Sequence, residues 1–334
     1  VESFTLKIKT LTPIWTGDVS MKCPEIKTQS ILGELRFWYT EALRCAGVKI
    51  CSDKMCNHDH KKHPELNDIC PVCKIFGCTG WKCRFDLRIS GGKEAYRVND
   101  VISPSGLRDR RDNPHAYRFS QRSGVEGSEI CIVFKSAFGA DSFKIPIALL
   151  KFLSHHAALG ARTQWGYGVF SIISSASNDR FVNQESTREQ SVTDLISLIR
   201  IYKPGLANLF VNYFFSEWTP NTLPKSIDEC NKWMVINSKY NLRQIIRQHP
   251  ECARCKTLRH EIFGAVRPDK FKSKICMSRV YQRNPNEMRI RVWGYVPKYL
   301  HFCPTHFSEQ KTIFNAIRDK LTGVASECYW KEGI

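Results

Sequence analysis

Two groups of residues in this 334-residue sequence could do chemistry. The first is Gly160-Ala-Arg162-Thr-Gln164-Trp165-Gly166-Tyr167-Gly168. Its glycines let the backbone take positive φ and approach a bulky ligand with N–H groups outward. Between them, Arg162 offers a planar fork for phosphate, Gln164 an amide and Trp165 a stacking face. The spacing fits neither a dinucleotide fingerprint nor a Walker loop, because those precede a helix. Here the turn follows an apolar, helix-like run from Ile147 to Leu159. Taken alone, it reads equally well as a helix stop with a tight turn into a strand. The second group is Cys51-x4-Cys56 with Cys70-x2-Cys73, two thiolate pairs at zinc spacings, with His58, His60 and His63 between them. They predict a structural Zn2+ that closes residues 48–80, a stretch too poor in apolar side chains to build a core. The fourth ligand stays open, and the plainer alternative is a set of reduced cysteines beside a solvated charged turn. No Glu accompanies His as in His-Glu-x-x-His, so nothing marks an open catalytic metal. A further pair, Cys252 and Cys255, has only scattered partners in His249, His260, Cys303 and His306.

Cations cluster in two further segments. Lys27-Thr-Gln-Ser30-Ile-Leu-Gly33-Glu-Leu-Arg36 places hydroxyls, free N–H groups and two positive charges at a helix start, which makes an anion site. Capping by Ser30 with a surface Arg36 is the plainer reading. Arg108, Arg110, Arg111, Arg118 and Arg122 interleave with Tyr117 and Phe119, a pattern suited to single-stranded nucleic acid or else to a solvated loop. The whole chain carries 50 Lys and Arg against 32 Asp and Glu, a formal charge of +18. An excess of that size points to a polyanionic partner, most simply nucleic acid. The sequence holds 15 cysteines, and their paired spacings point to metal sites in a reduced, cytoplasmic setting rather than to disulfides. The start lacks the plan of a secretion signal, and no run is apolar enough to span a membrane.

These residues need elements to position them. Phe4, Leu6, Ile8 and Thr10 alternate with polar residues as a half-buried strand. Ser30 opens a helix with Ile31, Leu32, Leu35, Trp38, Tyr39, Ala42 and Leu43 on one face, and Gly47 stops it. Strands follow at Trp81–Ile89 and Glu129–Phe138, then a helix from Pro146 to Leu159 and a strand at Val169–Ile173. The order βαββαβ predicts an α+β, ferredoxin-like module over residues 1–175. Its insertions, a Cys-rich one at 48–80 and a basic one at 90–127, are where function should sit. Ser171–Ser191 reads as a linker. A second module over 190–334 should contain a helical region from Leu195 to Trp218, a short strand at Trp233–Ile236 and a basic helix at Leu242–Gln248. It should end with strands at Ile275–Gln282 and Met288–Val296 and a helix near Phe307–Leu321. Cys70-x-x-Cys73 with Phe76-Gly77 is echoed by Cys252-x-x-Cys255 with Phe263-Gly264, as in a duplicated domain.

Four segments carry a family resemblance: Thr10 to Gly17, the Ser30-Ile-Leu-Gly33-Glu-Leu-Arg36-Phe-Trp38-Tyr39 helix, Phe76 to Trp81 and the Gly160–Gly168 turn. Over residues 4–174 the chain resembles RAMP-superfamily proteins of CRISPR systems, and more narrowly the first subunits of type III-B (Cmr) effector complexes. The likeness is looser beyond residue 190, through Phe263-Gly264 and Lys274 to Val280. The resemblance implies tandem RRM-related modules and a non-catalytic subunit capping the guide-RNA 3′-end side of the complex. It implies guide CRISPR RNA, single-stranded target RNA and neighbouring RAMP subunits as partners. Expected RNA contacts are Lys27, Ser30, Arg36, Arg108, Arg110, Arg111, Arg118, Gly160, Arg162, Gln164, Trp165, Lys274 and Arg279. Family members cleave target with an aspartate on a thumb-like loop of the backbone subunits, and Asp100, Asp109 and Asp112 lie in the counterpart loop here. The Cys-rich insert departs from the family's plainer pattern, so metal binding rests on spacing alone. One alternative is a RAMP endoribonuclease with His115, His155 or His156 as general base. Another is a zinc-ribbon DNA-binding regulator, for which only Arg243, Gln244 and Arg247 suggest a reading helix.

Overall fold

The computed structural model describes residues 1–17, 23–51, 56–57, 69–95, 100–102, 117–119, 124–163, 166–176, 187–220, 274–284, 287–296, 314–315, 317–319 and 325–332. Strand β1 (Glu2–Thr10) buries Phe4, Leu6 and Ile8 on one face, as its alternation requires. It lies between β7 (Ile130–Ser136) and β8 (Phe170–Ala176), and β2 (Asp86–Ser90) forms the far edge beside β7. All pairs are antiparallel, in the order β2-β7-β1-β8. Helices α1 (Thr28–Cys45) and α3 (Asp141–His156) complete the βαββαβ plan, so the ferredoxin-like expectation holds for this half. The insertions add the short helix α2 (Pro71–Phe76) and the strand pairs β3 (Lys93–Glu94) with β6 (Val125–Glu126) and β4 (Asp100–Ile102) with β5 (Tyr117–Phe119).

Element ends move where local signals misled. Helix α1 begins at Thr28 behind Lys27, so Ser30 sits in its first turn and caps nothing. Its stop at Gly47 is as expected: φ is +71°, Gly47 N–H donates to Arg44 and Val48 N–H to Leu43, the pair of bonds that closes a helix through a left-handed residue. Strand β2 starts five residues later than the aromatic run suggested, because Trp81 is used in a turn with Cys78. Helix α3 starts five residues before Pro146, which therefore lies inside it and removes one backbone bond near the start.

Helix α3 is buried on every side, from Phe143 through Leu149, Leu150, Phe152 and Leu153. Such a helix needs cover on both faces. The first sheet and α1 cover one, and α4 (Arg188–Arg200) and a second sheet cover the other. Residues 170–176 continue β8 and residues 188–200 form α4, so the expected linker shrinks from both ends. The expected helix through Trp218 is instead β9 (Tyr213–Pro220), because aromatic residues on both faces suit a strand buried on two sides. The second sheet holds β10 (Ile275–Met277), β11 (Tyr281–Asn284), β12 (Glu287–Tyr295) and β13 (Ala325–Glu332) besides β9. Its order β10-β12-β9-β13 repeats that of the first sheet: second, third, first, fourth strand. The expected strand at 233–236, the basic helix at 242–248 and the Cys252–Cys255 pair lie outside the described residues, as does most of the helix near 307–321.

One apolar cluster runs through both halves. Phe152 of α3 stacks on Phe210 and meets Phe215 of β9 edge-on, while Trp38 of α1 packs on Phe210 and Tyr213. In its midst, Arg291 of β12 faces its cross-strand partner Glu217 of β9 at 3.1 Å. The same guanidinium donates to the Ala157 carbonyl (2.7 Å) at the end of α3, where the helix leaves its last carbonyls without partners. Glu217 also accepts from Arg188 and from the Tyr281 hydroxyl. Burial opposes the charge on Glu217, but Arg291 and Arg188, with the bonds from Tyr281 and Arg291, hold its carboxyl at about 2. The folded chain therefore binds this proton less tightly than the unfolded chain, where a Glu titrates at about 4.3. The resulting stabilisation is complete above about pH 5 and is lost as pH falls towards about 2. Glu217→Gln should cost roughly 3–5 kcal/mol in denaturant unfolding at neutral pH, because it strands a buried guanidinium. The gap from the unaltered chain should narrow below about pH 4, and a gap independent of pH would contradict the assignment.

Candidate nucleic-acid interface and thiolate centre

The glycine-rich turn is built on the end of β1. Leu159 N–H donates to Gly168, Gly168 N–H to Pro13 and Ala161 N–H to Trp15, so the turn folds back over Pro13–Trp15. Gly168 has φ +92°, and a Cβ there would lie 2.1 Å from the Leu159 carbonyl oxygen, so only glycine closes this loop. Arg162 is a non-glycine residue at φ +62°, and its guanidinium lies 3.7 Å from the Trp15 ring centroid. A cation on an aromatic face is held in orientation while keeping N–H groups at its edge for an acceptor. Arg162 therefore combines a strained backbone with a guanidinium fixed in orientation on Trp15.

Helix α1 supplies two supports. Thr16, next to Trp15, accepts a bond from Lys27 N–H at 2.9 Å and donates to the Glu25 carbonyl, which fixes the entry to the helix. Ser30 Oγ donates weakly to the Thr16 carbonyl at 3.5 Å. No acidic residue lies in the first turn of α1, whose leading N–H groups precede any intrahelical acceptor. One turn on, the Glu34 carboxylate accepts from Gly160 N–H and so ties α1 to the glycine-rich turn. Burial pushes the Glu34 carboxyl up to about 8, against the bonds from Gly160 and Trp38.

The second sheet closes the other side of the turn. Arg279 N–H donates to the Gly166 carbonyl, its guanidinium stacks 4.7 Å from the Tyr167 ring centroid, and Thr163 Oγ1 lies 3.5 Å from Cys276 Sγ on β10. Lys274 stands just before β10, its ammonium 5.9 Å from the Tyr295 ring centroid. Lys27, Ser30, Gly160, Arg162 and Arg279 are thus joined through Thr16, Trp15, Glu34 and Gly166, from elements far apart in sequence. Gln164, Trp165, Arg108, Arg110 and Arg111 lie outside the described residues, and Arg118 is described only as part of the β5 backbone. Trp15 and Thr16 stand out in the sequence only as part of a family resemblance, and Glu34 only as an unassigned member of the helix-start segment. A Thr at the end of a strand followed by a helix start was the local signal available.

The thiolates converge as their spacing required. Sγ atoms of Cys51, Cys56, Cys70 and Cys73 all lie within 4.8 Å of one another. Cys51 stands 3.8 Å from Cys73 and 3.5 Å from Cys70. A tetrahedron with metal–sulfur bonds of about 2.3 Å has edges of about 3.8 Å, so four thiolates here could hold a divalent ion with little movement. Cys70 N–H donates to Cys56 Sγ at 3.4 Å, a bond that also suits a metal-bound thiolate. Burial raises the Cys70 thiol, but bonds from the Cys51 and Cys73 backbone N–H groups outweigh it and bring it to about 7. The set is complete with four cysteines, so no histidine is needed to fill it.

His156 points into the core. It stacks on Phe152, its Nε2 lies 3.3 Å from the Arg188 carbonyl, and burial keeps it well below the usual histidine range. A general base needs to reach the proton it removes, and this imidazole reaches only protein. His115 lies outside the described residues, as do Asp109 and Asp112, while Asp100 begins β4.

Gly166 carries the junction between turn and second sheet. At φ +87°, a Cβ would lie 2.6 Å from Arg279 N. Gly166→Ala should therefore destabilise the chain by roughly 2 kcal/mol or more in thermal or denaturant unfolding. Wild-type stability of that variant would show that the two backbones are not in close contact.

Comparison with known proteins agrees with this architecture. The RAMP-superfamily model matches residues 7–171. The apo crystal structure of Cmr1 from Pyrococcus furiosus aligns with 100% of this chain and 99% of its own, at 14% identity and a TM-score of 0.53. A chain of the cryo-EM structure of type III-B Cmr-beta bound to cognate target RNA and AMPPnP, in the presence of ssDNA, aligns with 96% of this chain and 98% of its own. That likeness has 11% identity and a TM-score of 0.52. No curated protein sequence matches the chain. Residues 7–171 match the RAMP superfamily, the strand order of that module is repeated in the second half, and the chain as a whole has the fold of Cmr1.

Proposed function

We propose that this chain is a non-catalytic RNA-binding subunit of a type III CRISPR effector. It caps the side of the complex where the 3′ end of the guide RNA lies and contacts both guide and single-stranded target RNA. Its partners are other RAMP subunits, its setting is the cytoplasm, and its two modules cover residues 1–175 and 190–334. The observation that carries the reading is Arg162, held at positive φ over Trp15 between the start of α1 and Arg279. A polynucleotide running along this line would meet backbone N–H groups of α1, then the Arg162 fork, then Arg279. Lys27, Ser30, Gly160 and Lys274 flank the same path, and Gln164 and Trp165 belong to the same turn. The net charge of +18 supplies the long-range attraction. The arginines at 108, 110, 111 and 118 extend the grip from the basic insertion, which runs between the edge strand β2 and its neighbour β7. The four cysteines hold a structural Zn2+ that substitutes for a core in the first insertion, with all four positions occupied by protein and none left for a substrate.

Binding of labelled single-stranded RNA, followed by anisotropy at several salt concentrations, tests this directly. Affinity should fall with a log–log slope of about −0.7 per phosphate contacted. Arg162→Ala should weaken binding uniformly across sequences and reduce the slope by about 0.7. A salt-independent response, or an unchanged Arg162→Ala, would remove the basis of the reading. Elemental analysis should find about one Zn per chain, and Cys70→Ser should abolish it while exposing the insertion to protease. Full zinc content in that variant would place the metal elsewhere.

A further inference from the structure

Arg36 is the one expected phosphate contact in the described part of α1 whose guanidinium points away from the glycine-rich turn. It reaches α2 instead. Nη2 donates to Cys73 Sγ at 3.1 Å, and Nη1 donates to the Gly77 carbonyl at 2.8 Å. The two terminal nitrogens of the fork are thereby used on one short element, at Cys73 inside α2 and at Gly77 just after its last residue. An apolar contact runs beside them: Phe76 of α2 packs on Tyr39 of α1 with ring centroids 6.0 Å apart. Helix α2 is thus joined to α1 by one aromatic pair and one guanidinium.

The chemistry of the cluster explains why a cation belongs there. Four thiolates around a divalent ion leave a net charge of about −2 in a partly buried place, where unpaired charge is costly. N–H groups donating to the sulfurs spread that charge and fix the sulfur lone pairs that face the metal. Cys70 N–H does this for Cys56. Among the described residues, Arg36 is the only cationic side chain that donates to one of the four sulfurs.

We propose that Arg36 is a positioning residue of the metal centre rather than a phosphate contact: it offsets the thiolate charge at Cys73 and, through Gly77, anchors the metal-bearing helix α2 to α1. The metal centre then holds the outer face of α1 in place without touching nucleic acid. This inference rests on the four cysteines being a metal site.

Its test uses the full-length chain stripped of metal and loaded with Co2+, whose sulfur-to-metal charge-transfer and visible bands report tetrahedral thiolate ligation. Arg36→Ala should still show these bands but bind Co2+ roughly 10–100-fold more weakly. Arg36→Lys, which can donate to sulfur but cannot bridge to Gly77 at the same time, should fall between. If Arg36→Ala does not fold by circular dichroism, Arg36→Gln replaces it, with the same weakening expected. With Zn2+ saturating, the salt dependence of RNA binding should be the same in the variant and the unaltered chain. Unchanged Co2+ affinity would overturn the proposal, as would a slope reduced by about 0.7, the mark of one lost phosphate contact. Absence of thiolate bands in the unaltered chain would instead sink the metal reading itself.

Discussion

The structure depends on one buried carboxylate. Glu217 on the central strand of the second sheet accepts from Arg291, Arg188 and Tyr281, and Arg291 in turn reaches the last carbonyls of α3. Each member solves a problem for another. The helix end needs donors, the buried guanidinium needs an anion, and the buried anion needs more than one cation to stay charged. The network also sets register: a slip of one residue between β9 and β12 would turn Arg291 or Glu217 to the opposite face of the sheet. Hydrophobic contact alone would let two aromatic surfaces slide, whereas this network admits one alignment.

From that alignment follows the position of the glycine-rich turn. Helix α3 delivers the turn, and the second sheet, locked to the end of α3 by Arg291, presents Arg279 and Cys276 against it. The turn is therefore a seam between the two sheets as well as a candidate contact for RNA. Gly166 serves the seam by allowing backbone approach, Gly168 closes the loop on Leu159, and Arg162 is left with its guanidinium on Trp15. Glu34 links the same turn to α1. A ligand bound along this line would touch both sheets, so its binding and their alignment are thermodynamically coupled.

The Cys-rich insertion follows a different logic. Its sulfurs form a compact cluster because Cys70 is the N-cap residue of α2 and Cys73 lies in its first turn while Cys51 follows α1 closely. Phe76, Tyr39 and Phe85 give that insertion a small apolar footing on the first sheet's core. Cysteine spacing was enough to single out four residues whose sulfurs converge. It was not enough to assign Arg36, which a helix-start pattern placed among phosphate contacts and which the fold turns to Cys73.

What the sequence determined by itself was local. Alternation in residues 4–10, the 3–4 spacing of Ile31 to Leu43, the Gly47 stop and the paired cysteines each act over one or two turns of chain, and each is found in the structure. The order of these elements was enough to expect the first ferredoxin-like module. Patterns of burial on two sides were not legible: the run up to Trp218 reads as the end of a helical region, and Tyr213–Pro220 is a strand because a second sheet and α3 cover its two faces. Charged residues were ambiguous for the same reason. Glu217, Arg291, Glu34 and Arg36 look like solvated surface in one dimension, and only tertiary structure decides which charges lose their water. That decision depends on contacts between residues as distant as Ala157 and Arg291, or Arg36 and Gly77, which no local spacing encodes.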